Sequence, residues 1–216
     1  MAQGDAASGN AGRPLLRLGW TLASIAALAA VWHEAATVLQ SRLLPGPAEV
    51  AATFFRELQT GALILHLGAT LARVAASFIL AMAIGTAIGI ALGRLRWVDR
   101  FFDSWLILFL NLPALVVIVL CYVWFGLTEV AAITAVAINK IPNVAVTIRE
   151  GTRSLSKDLA EMAEVYRFGR WRTLRHVILP QLAPFFFAAV RSGLALVWKI
   201  VLVVELLGRS NGVGYE

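Results

Sequence analysis

Two stretches of this chain, Val74–Gly93 and Ser104–Thr128, contain no Asp, Glu, Lys or Arg. Each is long enough to cross a bilayer core of roughly 30 Å as a helix. Of the 216 residues, 59% are hydrophobic and 15% charged, too little charge to cover the surface of a soluble domain of this length. The fold class is therefore all-α, a polytopic helical membrane protein. The net charge of +6 fits basic cytoplasmic loops better than a nucleic-acid surface. The single cysteine, Cys121, has no partner for an intrachain disulfide and reads as a small buried hydrophobe.

The pattern predicts five spans, at about 15–38, 66–93, 105–125, 130–149 and 181–207, after a disordered polar tail over residues 1–12. "ALAA" at 28–31 could also end a signal peptide, but a first transmembrane helix explains the segment equally and more spans follow. "LPGPAEVAATFFREL" (44–58) reads as a short amphipathic surface helix, with Pro47 in its first turn. In the second span Ser77, Ala81, Gly85, Gly89 and Gly93 put a small residue at every fourth position. Such a stripe lets another helix backbone approach closely. Pro113 breaks the third span, and Lys140 and Pro142 interrupt the fourth. The basic groups Arg13/Arg17, Arg94/Arg96/Arg100 and Arg149–Arg175 share the cytoplasmic side when the amino terminus is inside.

Between the fourth and fifth spans lies the polar segment 150–180, in which Ser154 or Ser156 can cap a helix start. Leu155, Leu159, Met162, Ala163 and Tyr166 then recur at spacings of three and four, one apolar stripe on a short helix or pair of helices. Asp158, Glu161 and Glu164 come early and Arg167, Arg170, Arg172 and Arg175 late, in the order that complements a helix dipole. Too charged to cross lipid and too apolar for a solvated loop, the segment reads as a cytoplasmic helix that offers its stripe to a protein or to the membrane surface.

This segment resembles the cytoplasmic-loop motif of ABC importer permeases: EAA, three residues, Gly, nine residues, Ile, one residue, Leu-Pro. Glu161, Met162 and Ala163 stand at EAA, Val177 at the Ile, and Leu179 and Pro180 close it. Arg167 stands at the glycine, so the first helix is expected to run about half a turn further and bend at Gly169. "LPGPAEV" (44–50), "HLGATLARV" (66–74), "WFGLTEVAAI" (124–133) and "RSGLALVWKIVLVVELLGRSNGVGY" (191–215) are similar to the branch that imports nitrate, sulfonates and taurine. The resemblance implies a type I (MetI-like) permease bundle in a bacterial inner membrane, with a sixth span usual in the family and missing here. It implies an ABC ATPase subunit docked at Leu159, Glu161, Met162, Ala163, Tyr166, Arg167, Gly169, Val177, Leu179 and Pro180, an extracytoplasmic solute-binding protein, a second permease copy and surrounding lipid. ATP and Mg are expected on the ATPase, and no cofactor or metal on this chain.

Other chemistry is poorly supported. There is no G-x-x-x-x-G-K-[ST] loop, "HEAAT" (33–37) lacks the second histidine of a zinc site, and "GRSNG" (208–212) has no histidine after it. Lys140, Arg191, Lys199 and Glu205 fall inside spans, where a charge must face a wet cavity or a partner. One reading puts Lys140, Lys199 and Glu205 on the substrate pathway, with Lys199 attracting an anionic solute and Glu205 gating or bracing a neighbouring helix; the other makes Lys199 and Glu205 structural pairs or lets them snorkel. The function expected is a permease subunit, not an enzyme; the alternative is a membrane scaffold that docks a partner through residues 155–176.

Overall fold

The computed structural model describes residues 12–40 and 44–215, with side chains from residue 18 onward, and every regular element among them is a helix. The tail expected over 1–12 lies outside the described residues, save Gly12 at the start of the first helix. The chain divides into two compact units, Met1–Leu63 and Ile64–Glu216.

The first unit holds α1 (Gly12–Leu39) and α2 (Pro47–Thr60). The Trp32 indole N–H donates to the Pro45 carbonyl at 3.1 Å, tying the connection back onto α1. Pro47 opens α2, where its missing N–H would have had no partner, and Gly61 closes it at φ +78°. Val50, Phe54, Phe55 and Leu58 of α2 are all exposed, as the amphipathic pattern leads one to expect.

The second unit is built around α3 (Ala62–Arg94), α6 (Glu129–Arg153) and α9 (Leu179–Gly208). The small-residue stripe is where α3 meets α6. A Cβ added to Gly85 would lie 2.6 Å from Val144 Cβ, and one on Gly89 2.7 Å from the Ala145 carbonyl oxygen. One on Gly93 would overlap Thr152. The two backbones touch without intervening side chains, the geometry that drives helix association in lipid.

The expected third span is different in the structure. Two helices, α4 (Arg96–Asn111) and α5 (Ala114–Phe125), meet at a bend of 95°. Pro113 forces this: it has no N–H to continue α4, and it pushes Leu112 into extended backbone at ψ 126°. With 12 residues, α5 is only about 18 Å long and does not cross a bilayer core alone. Among the described residues four helical stretches are long and apolar enough to cross, Leu18–Leu39, Ala62–Arg94, Glu129–Arg153 and Arg170–Gly208, or five if the bent pair counts as one.

The fourth span is not interrupted: α6 runs unbroken through Lys140 and Pro142, both buried. Neighbouring helices hold the proline in place, a tolerance common where protein rather than lipid surrounds it. Val74, Ile118, Cys121, Val136, Val197 and Val201 form the main core, with Cys121 a buried free thiol.

The last stretch also departs from expectation. After α7 (Lys157–Val165), the chain re-enters helix at α8 (Arg170–Thr173), passes through a π-helical turn over Leu174–Ile178 and continues as α9. Pro180 cannot donate to the carbonyl four residues back, and Leu179 N–H bonds five back, to Leu174 O. The final span is thus continuous with the second half of the polar segment.

Glycine packing gives a direct test. Gly89→Ala is expected to destabilise the second unit by about 1–3 kcal/mol through overpacking against α6. Gly68→Ala on the same helix meets nothing within 4 Å and is expected to stabilise it by about 0.5–1 kcal/mol. Thermal unfolding of both variants in detergent checks the pair; equal effects would remove the close α3–α6 contact.

Candidate functional site

A lone arginine in an apolar helix must find carboxylates, and Arg73 of α3 finds two. Its Nε and Nη2 donate to the Glu129 carboxylate of α6 at 2.8 and 2.7 Å, a bidentate pair. Its Nη1 donates to Glu205 of α9 at 2.7 Å and to the Asn211 carbonyl at 2.9 Å, and Nη2 also reaches Asn211 Oδ1. Thr70, one turn earlier, donates its hydroxyl to Glu205 at 2.9 Å, and Gly214 N–H donates to the same carboxylate at 3.0 Å. Arg209 bonds Glu129 and, at 2.7 Å, the Leu127 carbonyl.

These contacts fold residues 209–215 back onto α3. Gly212 N–H donates to His66 Nδ1 and Val213 N–H to Thr70 Oγ1, both at 2.9 Å. Gly212 has φ +118°, and a side chain there would overlap the Glu205 carboxylate, so glycine serves both the turn and the close approach. Glu205 therefore braces α3 and is 0% exposed. The structure brings it to Arg73 and not to Lys140 or Lys199. Arg73, Glu129, Thr70 and Asn211 were missed in the sequence; the unpaired charge of Arg73 among apolar neighbours was the available signal.

The two lysines part company. Lys140 is 2% exposed and makes no hydrogen bond or ion pair among the described residues. Its side chain runs past α9 at Gly193, where an added Cβ would lie 2.5 Å from Lys140 Cε and 3.1 Å from the Phe78 ring of α3. Glycine thus makes the room the lysine occupies. Among the described residues the hydroxyls of Ser77, next to Phe78 on α3, and of Thr86 are also buried without a partner, as is Arg209 Nε. Lys199 sits on the exposed side of α9.

At the other end of the unit, α7 starts at Ser156, whose Oγ accepts from Leu159 N–H and whose N–H donates to Gln181 Oε1 at 2.8 Å. Of the predicted stripe, Ala163 is buried and α7 rests against the π-helical turn, where Val177 is buried too. Leu159, Met162 and Tyr166 face outward, joined by Val165 and Trp171. Glu161, Gly169, Leu179 and Pro180 are also exposed.

The expected bend at Gly169 is not found. The chain turns at Arg167, which takes φ +50°, while Gly169 has an ordinary φ of −65°. Phe168 N–H bonds to Ala163 O at 2.8 Å and Arg167 N–H to Glu164 O at 2.9 Å. That pair of bonds is a Schellman cap with its left-handed position filled by arginine. The turn survives the missing glycine because its hydrogen bonds are all backbone.

A helical bundle with an ammonium enclosed at mid-span, and an apolar-faced short helix held outside one end, has the architecture of a membrane transport subunit. A solved structure of an amino acid ABC transporter with histidines has a similar fold, with TM-score 0.51 and 22% identity over 72% of this chain and 76% of that one. Residues 81–216 match the binding-protein-dependent transport system inner membrane component family, and the chain belongs to it. An aliphatic sulfonates transport permease protein of Bacillus subtilis is 31% identical over 92% of this chain and 74% of its own length. The corresponding Escherichia coli protein is 32% identical over 87% and 72%, and the taurine transport system permease protein of E. coli 26% identical over 90% and 74%. The chain is accordingly a multi-pass inner-membrane component of an ABC importer, a transporter subunit rather than an enzyme.

Two outcomes follow from these geometries. Arg73→Ala leaves Glu205 buried without its cation, and is expected to lower stability by about 3–5 kcal/mol; thermal unfolding measures it, with faster proteolysis in 209–215 as a second sign. Arg167→Gly removes the strain of a left-handed arginine and is expected to stabilise the α7 cap by about 1 kcal/mol. Slower amide exchange at residues 167 and 168 would register that gain, and unchanged exchange would contradict it.

Proposed function

We propose that this chain forms the solute pathway of an importer for a small organic anion of the sulfonate or taurine type. The carrying observation is Lys140, an ammonium enclosed at mid-span with no anion beside it. An unpaired charge at that depth is costly unless it serves a passing ligand. A sulfonate group supplies the missing partner, and relatives named for aliphatic sulfonate and taurine transport support the same solute class.

In this reading two copies work together, fed by an extracytoplasmic binding protein, with the amino terminus in the cytoplasm. The exposed apolar side of α7, with Leu159, Met162 and Tyr166, docks an ATPase subunit that holds ATP and Mg; this chain holds neither. Because α8 runs through the π-helical turn into α9, a displacement of the docking segment is carried along one helix to Gly193 and Lys140. Alternating access follows from that movement, with no chemistry done on the solute.

Uptake of an aliphatic sulfonate into proteoliposomes carrying the assembled transporter tests both parts. Lys140→Met and Gly193→Ala are expected to reduce uptake roughly tenfold or more, the scale of one lost charged hydrogen bond, while the ATPase still co-purifies. Lys199→Ala is expected to leave uptake unchanged. Leu159→Asp with Met162→Asp is expected to release the ATPase. If Lys199→Ala abolishes uptake and Lys140→Met does not, the assignment of the solute's charge partner is wrong.

A further inference from the structure

The start of α7 is capped from two helices. Ser156 is its N-cap, and the Ser156 Oγ accepts from Leu159 N–H at 3.4 Å. In a capping box the residue three positions after the cap is Glu or Gln, whose side chain returns to the N–H of the capping residue. Here that residue is Leu159, which faces outward with Met162, so the box has no local acceptor. The acceptor comes instead from the first turn of α9. Gln181 Oε1 accepts from Ser156 N–H at 2.8 Å, and Gln181 Nε2 donates to the Val177 carbonyl of the π-helical turn at 2.8 Å.

Both partners fix the amide's orientation, because a backbone N–H requires its oxygen and a carbonyl requires its nitrogen. The bond to Val177 holds the side chain against its own helix and presents the oxygen to Ser156. Among the described residues, Ser156 to Gln181 is the only hydrogen bond or ion pair that joins residues 155–168 to another helix. The other contact is apolar, where α7 rests with its buried Ala163 against the π-helical turn. The joint also lies where α6 and α9 approach. Only Leu155 separates Ser156 from Ser154, which closes α6, and a Cβ added to Gly151 of α6 would lie 2.6 Å from the Phe185 ring, one turn after Gln181.

We infer that Gln181 is a positioning residue for coupling: it completes the α7 cap from the final span, so that the docking helix and α9 keep one relative orientation. The inference rests on the reading of α7 as the ATPase-docking surface. The far end of α7 leads through the Arg167 turn into α8, and an attachment at that end alone leaves α7 free to swing as on a hinge. Gln181 holds the opposite end. With both ends held, a push on Leu159 and Met162 turns the start of α9 instead of being lost in a rotation of α7 by itself.

The test compares the wild-type transporter, assembled with its ATPase in proteoliposomes, with Gln181→Met, which keeps the side chain's length and loses its amide. In Gln181→Met the ATPase is expected to stay bound and to hydrolyse ATP. The ATP consumed per aliphatic sulfonate taken up is expected to rise about fivefold, and the Ser156 amide to exchange about fivefold faster, the scale of one neutral hydrogen bond. Gln181→Glu still accepts from Ser156 N–H and is expected to keep the ratio within about twofold of the wild type. If thermal unfolding shows that Gln181→Met loses its fold, Gln181→Asn, one methylene too short to span both partners, carries the same expectation. An unchanged ATP-to-solute ratio overturns the inference, as does an equal loss of coupling in Gln181→Glu and Gln181→Met. A fall of hydrolysis, uptake and thermal stability in proportion also overturns it, by making Gln181 a local cap alone. ATPase that stays bound through Leu159→Asp with Met162→Asp overturns the docking reading and this inference with it; release by that double change beside an unchanged ratio in Gln181→Met overturns this inference alone.

Discussion

One guanidinium holds the larger unit together. Arg73 projects from α3 into a bundle with little water to solvate it, so its charge must be met by groups on other helices. Glu129 comes from the first turn of α6 and Glu205 from the last turns of α9. Meeting both carboxylates fixes the rotation of three helices at once. The remaining lone pairs of Glu205 then recruit Thr70 and the Gly214 amide, which is why the chain after α9 doubles back instead of leaving the protein. A buried ion pair of this kind is a weak source of net stability; what it contributes is a single permitted arrangement.

Polar satisfaction varies along the bundle in a way that suits transport. At one end Arg73 and Arg209 pair with Glu129 and Glu205, and at the other Arg149 and Arg153 pair with Asp99, Asp103 and Glu150. Among the described residues the Lys140 ammonium and the hydroxyls of Ser77 and Thr86 lack partners, and so does Arg209 Nε at the Arg73 end. Buried polar groups are ordinarily paired, and in the proposed mechanism the solute meets the unpaired Lys140.

The proposed coupling to an ATPase gains a mechanical basis from proline chemistry. Pro180 shifts the hydrogen-bond register into a π-helical turn without breaking the helix, so the segment that begins at Arg170 ends at Gly208. The same helix carries Gly193, against which Lys140 lies, and Glu205, which holds Arg73. In the proposed mechanism one rigid element therefore links the docking surface, the solute's charge partner and the far brace.

The local rules of the chain were legible from residue types alone. Uncharged runs required apolar helices, the four-residue repeat of Gly85, Gly89 and Gly93 required a close helix neighbour, and Pro113 required a break. The fragments 66–74, 124–133 and 191–215 stood out in the sequence, and each supplies a contact at Arg73. What could not be read was direction. Periodicity says that α7 has an apolar stripe, but only packing against the π-helical turn turns Ala163 inward and leaves Leu159, Met162 and Tyr166 outside. A proline inside a span looks alike at 113 and 142, yet one turns the chain through 95° while the other is carried in an unbroken helix, because only at Pro142 do neighbouring helices enclose the site. Arg167 follows the same logic: its sequence argued for a later bend, and the backbone hydrogen bonds of the cap imposed the earlier one. The sequence by itself determined which segments enter the membrane, since transfer free energy is a sum over residues. The tertiary structure decided which charges meet and which remain alone, since pairing depends on how distant helices are rotated toward one another.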